Sequence, residues 1–278
     1  MCYKALMTLM TQKRSWASVL ALAAVLSAPA LARAQAPIDP REAQPERPTV
    51  ATHAYPVARG FLELEAGYMQ QPRPGTARLM TTPILFKVGI APRMQLDVSP
   101  GWLQVSDQGV RKGGIGDLGL ALKWQLTENA PIIGSFAIQP SVTLATGSVE
   151  NGTSAGRAAV GILLISSYQF GRVALDLNAA YTHRGGDGTI APKDATAWTI
   201  STWTLVYERL GWCAELFGFP GTHGPAGDET SVGFLFGPTF DVDKSLVIDA
   251  GIVFDVKGLG GNQVYAGATW NIGRIFGR

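Results

Sequence analysis

The stretch Gly113–Leu126, GGIGDLGLALKWQL, decides how the rest of the chain is read. Gly114, Gly116 and Gly119 spell G-x-G-x-x-G, the spacing of a dinucleotide-binding turn. That turn needs a buried strand before it, a helix opening at the third glycine and an acidic residue about 20 positions on. Here the preceding SDQGVRKG is polar and turn-like, and the residues that follow alternate. Leu118, Leu120, Leu122, Trp124 and Leu126 oppose Gly119, Ala121, Lys123 and Gln125. A period of two sends each set to one face of a strand, whereas a helix would scatter the leucines around its circumference. The glycines open a strand and imply no nucleotide cofactor.

The same alternation divides the chain from Gly60 onward into about twelve segments: 60–70, 78–90, 94–106, 115–126, 132–146, 158–170, 173–183, 197–208, 211–219, 230–242, 245–256 and 263–273. Most reach the roughly 9–11 residues that a tilted strand needs to cross a bilayer. Leu246, Ile248, Ala250, Ile252 and Phe254, for example, oppose Val247, Asp249, Gly251 and Asp255. The connections alternate as well. Long ones rich in Gly, Pro and charge (QPRPGTA, DQGVRKGG, GSVENGTSAGR, GGDGTIAPKDAT, GTHGPAGDE, GLGGN) take turns with tight ones (APR, TENAP, GR, RL, DVDKS). An even number of antiparallel strands with alternating loop lengths is the pattern of an all-β outer-membrane barrel with short turns in the periplasm. Both termini are then expected in the periplasm.

Composition agrees. Charged residues make up 16% of the chain, against about 25% in an average globular protein. Glycine is 33 of 278 residues, and the formal charge of +2 argues for no nucleic acid or other polyanion as partner. Lys13 and Arg14, the apolar run Ser15 to Ser27 and Ala32-Arg-Ala34 read as a secretory signal peptide over residues 1–34. Its removal takes Cys2 and leaves Cys213 as the single cysteine. No later apolar run is long enough for a helical span. Residues 35–58, with Pro37, Pro40, Pro45, Pro48 and Pro56, read as a disordered periplasmic lead-in, and 59–278 as the barrel. If the first strand runs outward, Tyr68, Trp102, Tyr181 and Trp198 gather at the outer ends of strands. Trp124, Tyr168, Phe170, Tyr207, Trp212, Phe240 and Trp270 gather at the inner ends, as two interfacial girdles would. Trp198 and Tyr207 have opposite parity within one strand, which calls for a bulge or an inward ring.

GGIGDLGLALKW, through Gly114, Gly116, Asp117, Leu120, Lys123 and Trp124, resembles the G-x-G-D-x-x-L-x-x-K-aromatic signature of outer-membrane proteins grouped as the MetA-pathway phenol-degradation family, with Trp124 where Tyr is more usual. Thr146-Gly147, closing a strand that carries Gln139-Pro140, looks like the hairpin that follows in that family. The resemblance implies a transporter-like barrel over residues 60–273, in a family often encoded near aromatic catabolism. By parity alone, Glu63, Glu65, Asp97, Asp117, Asp176, Glu215, Asp241, Asp249 and Asp255 face the lumen, against Lys87 and Lys123. Such an acidic wall either favours cations and hydroxyl-bearing solutes or bonds to neighbouring groups and fills the interior. Leu163, Ile165, Phe217 and Phe219 make part of the same wall apolar.

Catalytic constellations are thin. His53 falls in the lead-in and His183 and His223 in outer loops, none in an H-x-S-N-G-like setting, and no cluster has metal-ligand spacing. The expectation is therefore a channel of the bacterial outer membrane that passes small solutes, aromatic or hydrophobic ones among them, with no cofactor. Its alternatives are a phospholipase-like barrel enzyme and a closed structural or surface-interaction barrel. Basic outer-loop residues (Arg73, Arg78, Arg111, Lys112, Arg157, Arg184, Lys193, Lys257) point to lipopolysaccharide phosphates or to plain solvent.

Overall fold

Strands form wherever polar or small residues alternate with β-branched, aliphatic and aromatic ones, and they end at Gly, Pro and Asp clusters. In order they are β1 (Phe61–Pro72), β2 (Arg78–Ala91), β3 (Met94–Ser99), β4 (Gly101–Asp107), β5 (Val110–Ile115), β6 (Leu118–Gln125), β7 (Ser135–Leu144), β8 (Ala159–Phe170), β9 (Val173–Arg184), β10 (Asp194–Tyr207), β11 (Leu210–Phe219), β12 (Ser231–Asp241), β13 (Leu246–Lys257) and β14 (Gln263–Arg274). The structure, a computed structural model, describes residues 39–72 and 77–277. The expected signal peptide lies outside these residues, and none of them is helical.

Each strand pairs antiparallel with its neighbours, and β1 pairs with both β2 and β14, so the sheet closes on itself. β3 and β4 follow one another along β2, interrupted at Pro100, which has no amide to give to a ladder. β5 and β6 are interrupted in the same way at Gly116 and Asp117. Fourteen segments thus make a barrel of twelve staves. Closure removes the open edges that an isolated sheet of this size would leave.

Three boundaries differ from the sequence reading. DQGVRKGG is not a loop: β4 and β5 pair through it up to Asp107↔Val110. Only Gln108 and Gly109 turn, at φ 46° and 82°, the double left-handed geometry that suits a two-residue hairpin. β10 starts at Asp194, inside the stretch read as a loop, and residues 132–134 belong to the turn before β7. The Trp198/Tyr207 parity conflict resolves as a register shift between Leu205 and Tyr207.

The barrel is inside out relative to a soluble one. Leu96, Trp124, Ile162, Ile200, Leu216, Phe236, Ile248, Ile252, Val264 and Trp270 are exposed, while Glu63, Glu65, Lys87, Gln95, Lys123 and Glu215 are buried. A continuous apolar belt of this kind is stable against lipid, not water. Its aromatic residues mark the two rims as expected. Trp124, Phe170, Tyr207, Phe240 and Trp270 are exposed toward the end with the tight turns, and Tyr68, Trp102 and Tyr181 toward the long-loop end.

Bulky rings inside the barrel come close over glycines of neighbouring staves. A Cβ on Gly237 or Gly251 would collide with the Tyr265 hydroxyl and with a neighbouring carbonyl, and one on Gly211 would collide with Trp203. Overpacking of this kind costs about 1–3 kcal/mol. Gly251→Ala is therefore expected to lower the temperature at which the folded, heat-modifiable gel band is lost. Gly101→Ala, where the nearest atom to a Cβ is 4.0 Å away, should leave it unchanged.

Candidate functional site

The lumen is occupied by the chain itself. Residues 39–58, within the lead-in expected to be disordered, run inside the barrel, and this corrects the sequence reading. The segment starts beside the β12–β13 turn, where Ala43 N donates to Lys244 O (2.8 Å) and Asn271 Nδ2 donates to Pro40 O (3.1 Å). It climbs past β1 and β13, crosses to β11 and β9 around Val50–Thr52, and returns past β8 and β3 to Arg59, which bridges to Gly89 beside β1. Contacts on strands all around the barrel put it in the interior.

Its order comes from side chains of the wall that stand in for a strand partner. Gln44 N donates to Glu63 Oε2 (2.8 Å), Glu46 N to Glu65 Oε1 (2.7 Å), and Val50 N and Ala51 N to the two oxygens of Glu215 (2.8 and 2.7 Å). Thr52 N donates to Asn178 Oδ1 and Asn178 Nδ2 returns a bond to Thr52 O (2.8 and 2.9 Å), one amide reading another as strands do. Ala54 N donates to Ser167 Oγ (2.9 Å) and Val57 N to Gln95 Oε1 (2.7 Å). Proline suits such a segment, because Pro45, Pro48 and Pro56 bring no amide that must be satisfied.

Charge is balanced by the same contacts. Lys87, fully buried, places its Nζ 2.5 Å from Glu63 Oε1, 2.6 Å from Glu65 Oε1 and 2.5 Å from Gln44 O. Lys123, also fully buried, pairs with Glu46 of the segment and donates to Thr52 Oγ1 (2.8 Å) and His53 O (3.0 Å). Arg47 adds a third cation, paired with Asp249 at 3.4 Å. Of the lumen residues expected from parity, Glu63, Glu65, Lys87, Lys123, Glu215 and Asp249 converge on the segment. Asp97 instead accepts from Gln95 and Gln139 (2.7 Å each), and Asp176 from Ser167 (2.5 Å). Asp255 caps the β13–β14 turn through Leu259 N and Gly261 N, and Asp241 ends β12 at the rim. Of the two roles the sequence left open for these acids, filling the interior is the one these bonds fit.

Closer to the long-loop end the inner wall turns apolar. Phe217, Leu235, Val253, Tyr265 and Cys213 form a buried cluster with Met69, Trp203 and Leu259 against it, and Phe219 meets Phe217 edge-on at 5.8 Å. Ile165 and Leu163 pack with Ala137 and the segment's Ala54. Val50, at the crossing, remains 47% exposed, so solvent reaches the stopper's tip.

The G-x-G-D motif marks a seam in the wall. β6 and β7 pair from Gln125↔Ala137 to Leu118↔Leu144, and beyond that point β5 keeps only β4 as partner. The following loop lies against the free side. Gly147 N donates to Asp117 Oδ1 (3.1 Å), Leu118 N to Thr146 Oγ1 (2.9 Å), and Thr146 Oγ1 to Gly116 O (3.2 Å). Asp117 therefore ties a loop, while Lys123 in the same motif grips the stopper and Leu120 and Trp124 lie on the outward face. Gly116 is tight, since a Cβ there would collide with Leu103.

The histidines are scattered. His53 sits in the stopper, His223 is exposed in a loop, and His183 Nδ1 lies 2.8 Å from Asp194 Oδ1, which also accepts from the Tyr181 hydroxyl. Among the described residues neither His183 nor His223 bonds to a serine. Glu46, Arg47, Gln95, Ser167, Asn178 and Asn271 were not singled out in the sequence. The one signal for them was the excess of inward acids over inward lysines.

Removing one partner of a buried ion group leaves an uncompensated charge and costs about 3–5 kcal/mol. Lys87→Met should therefore sharply lower the thermal stability of the folded band. Adding Glu63→Gln and Glu65→Gln to that variant should recover most of the loss.

No protein-family model and no curated protein matches the sequence. Among solved structures, an outer membrane channel from Pseudomonas putida F1 aligns with a TM-score of 0.59 at 12% identity, over 79% of this chain and 98% of the other. The monoaromatic hydrocarbon channel CymD aligns at 0.47 with 10% identity, over 79% and 90%. The porin NanC aligns at 0.47 with 8% identity, over 75% and 98%. The first of these likenesses shows that the chain has the fold of an outer-membrane β-barrel.

Proposed function

We propose that this chain is an outer-membrane channel for passive uptake of small apolar or aromatic solutes. Its termini and tight turns face the periplasm and its long loops face outward. The observation that carries this reading is the division of the lumen. The half toward the termini is closed by the chain's own hydrogen-bonded segment, and the half above it is walled by Phe217, Leu235, Val253 and Tyr265. A hydrated ion gains nothing from such a wall and meets a stopper below it. An apolar ring gains about 1.5–3 kcal/mol when it leaves water for a surface of that kind. The free side of β5, covered by a loop rather than a strand, offers such a solute a way into the membrane without displacing the stopper. The resemblance of the G-x-G-D motif to the phenol-degradation family supports the same substrate class, and the fold shared with an outer membrane channel supports the barrel that the reading requires.

The outward face fits a lipopolysaccharide leaflet. Arg78 and Arg111 flank Ser106 in one cross-strand row, and Trp102 and Ile115 stand opposite one another farther down the same face. Phosphates of lipid headgroups suit paired arginines at that level.

The test is accumulation of a radiolabelled monoaromatic hydrocarbon in Gram-negative cells that express the protein, compared with the empty vector. Faster initial uptake is expected. Phe217→Ser combined with Phe219→Ser should cut the gain several-fold while the folded gel band persists. Equal uptake with and without the protein would leave a closed structural barrel as the better account.

A further inference from the structure

Arg47 rests in a recess made for it. Gly267 stands opposite Asp249 across β13–β14 and opposite Gly67 across β14–β1, so Asp249, Gly267 and Gly67 form one row over three staves. A side chain at either glycine would collide with the guanidinium of Arg47. The two bare positions leave a flat slot that the planar group fills. Arg47 Nε and Nη2 donate to the two oxygens of Asp249 (3.4 Å each), and Nη2 donates to Ala266 O (3.3 Å). The Arg47 side chain is only 13% exposed and that of Asp249 3%. We infer that Asp249, Gly267 and Gly67 form a guanidinium-binding socket in the barrel wall, filled by the chain's own Arg47 and able to take a small guanidinium ion in its place.

The chemistry of the slot selects its occupant. A guanidinium is planar, permanently charged and donates along its edge, which matches a carboxylate at one end and a carbonyl beside a bare floor. An ammonium is compact and leaves the slot half empty. The consequence is mechanical and rests on reading residues 39–58 as the stopper. Glu46, next in sequence, is held by Lys123 on β6, and Val50 by Glu215 on β11. Glu63, Glu65 and Asn271 hold the backbone of this limb before it, and Arg47 ties its far end to Asp249 on β13. Without that tie the stretch between Glu46 and Val50 swings from the wall and the axial path opens to ions.

Single-channel recording of the full-length protein in planar bilayers tests the inference. Arg47→Ala is expected to raise the time spent in conducting states roughly tenfold, the scale of a lost charge-assisted contact. Arg47→Lys, which keeps the charge without the fork, should open nearly as much. Millimolar methylguanidinium should return Arg47→Ala toward the wild-type level, while potassium at the same ionic strength should not. In Arg47→Ala with Gly267→Ala, whose added Cβ occupies the slot, methylguanidinium should have no effect. Unchanged conductance in Arg47→Ala overturns the inference, as does absence of rescue or equal rescue in the double variant. Failure of solute uptake in cells would instead strike the functional reading and leave these recordings unaffected.

Discussion

Two lysines buried inside a membrane barrel set the terms for the rest of the structure. An ammonium removed from water loses several kcal/mol of solvation, and only close carboxylates with further oxygen acceptors offset that. Lys87 finds Glu63 and Glu65 on its own wall, but its third contact is a carbonyl of the N-terminal segment. Lys123 has its carboxylate partner, Glu46, in that segment. The wall is therefore incomplete without the stopper. The stopper in turn finds in the wall the acceptors for its amides at Gln44, Glu46, Val50, Ala51, Thr52, Ala54 and Val57.

This mutual dependence explains why the barrel was legible in the sequence and the stopper was not. Alternation, girdles and loop lengths are local signals, and each follows from residues within one strand or two neighbours. Trp124 points outward and Lys123 inward because the backbone between them is a strand. The stopper's partners lie on β1, β2, β3, β6, β8, β9, β11, β13 and β14, far away in the chain. A segment rich in proline and charge lacks the apolar content to fold alone. Here Glu215, Asn178 and Gln95 supply the order. The strand interruptions at Pro100 and Gly116–Asp117 were also missed, because the polar run VRKGG looks like a turn when its cross-strand partners are not known.

The proposed function rests on the layering that results. Polar side chains at the tight-turn end are used up in holding the segment, so the acidic wall is a binding surface for the chain's own backbone. The apolar residues above it, led by Phe217 and Leu235, pack on one another and give that part of the interior its apolar lining, on which the proposed uptake rests. The seam beside β5 lies across the barrel from that β11–β14 cluster, and the G-x-G-D motif supplies both its bend and its tie to Thr146 and Gly147. One short motif thus shapes the seam, contributes to the lipid face and grips the stopper through Lys123.

The central claim, that residues 39–58 are an integral filling of the barrel, is tested most directly by amide hydrogen exchange of the reconstituted full-length protein. The amides of Gln44, Glu46, Val50, Ala51, Thr52, Ala54 and Val57 each donate to a wall side chain. They should exchange orders of magnitude more slowly than an unstructured peptide, in the range of the barrel strands. Exchange of these amides at peptide rates while the strands remain protected would contradict the account.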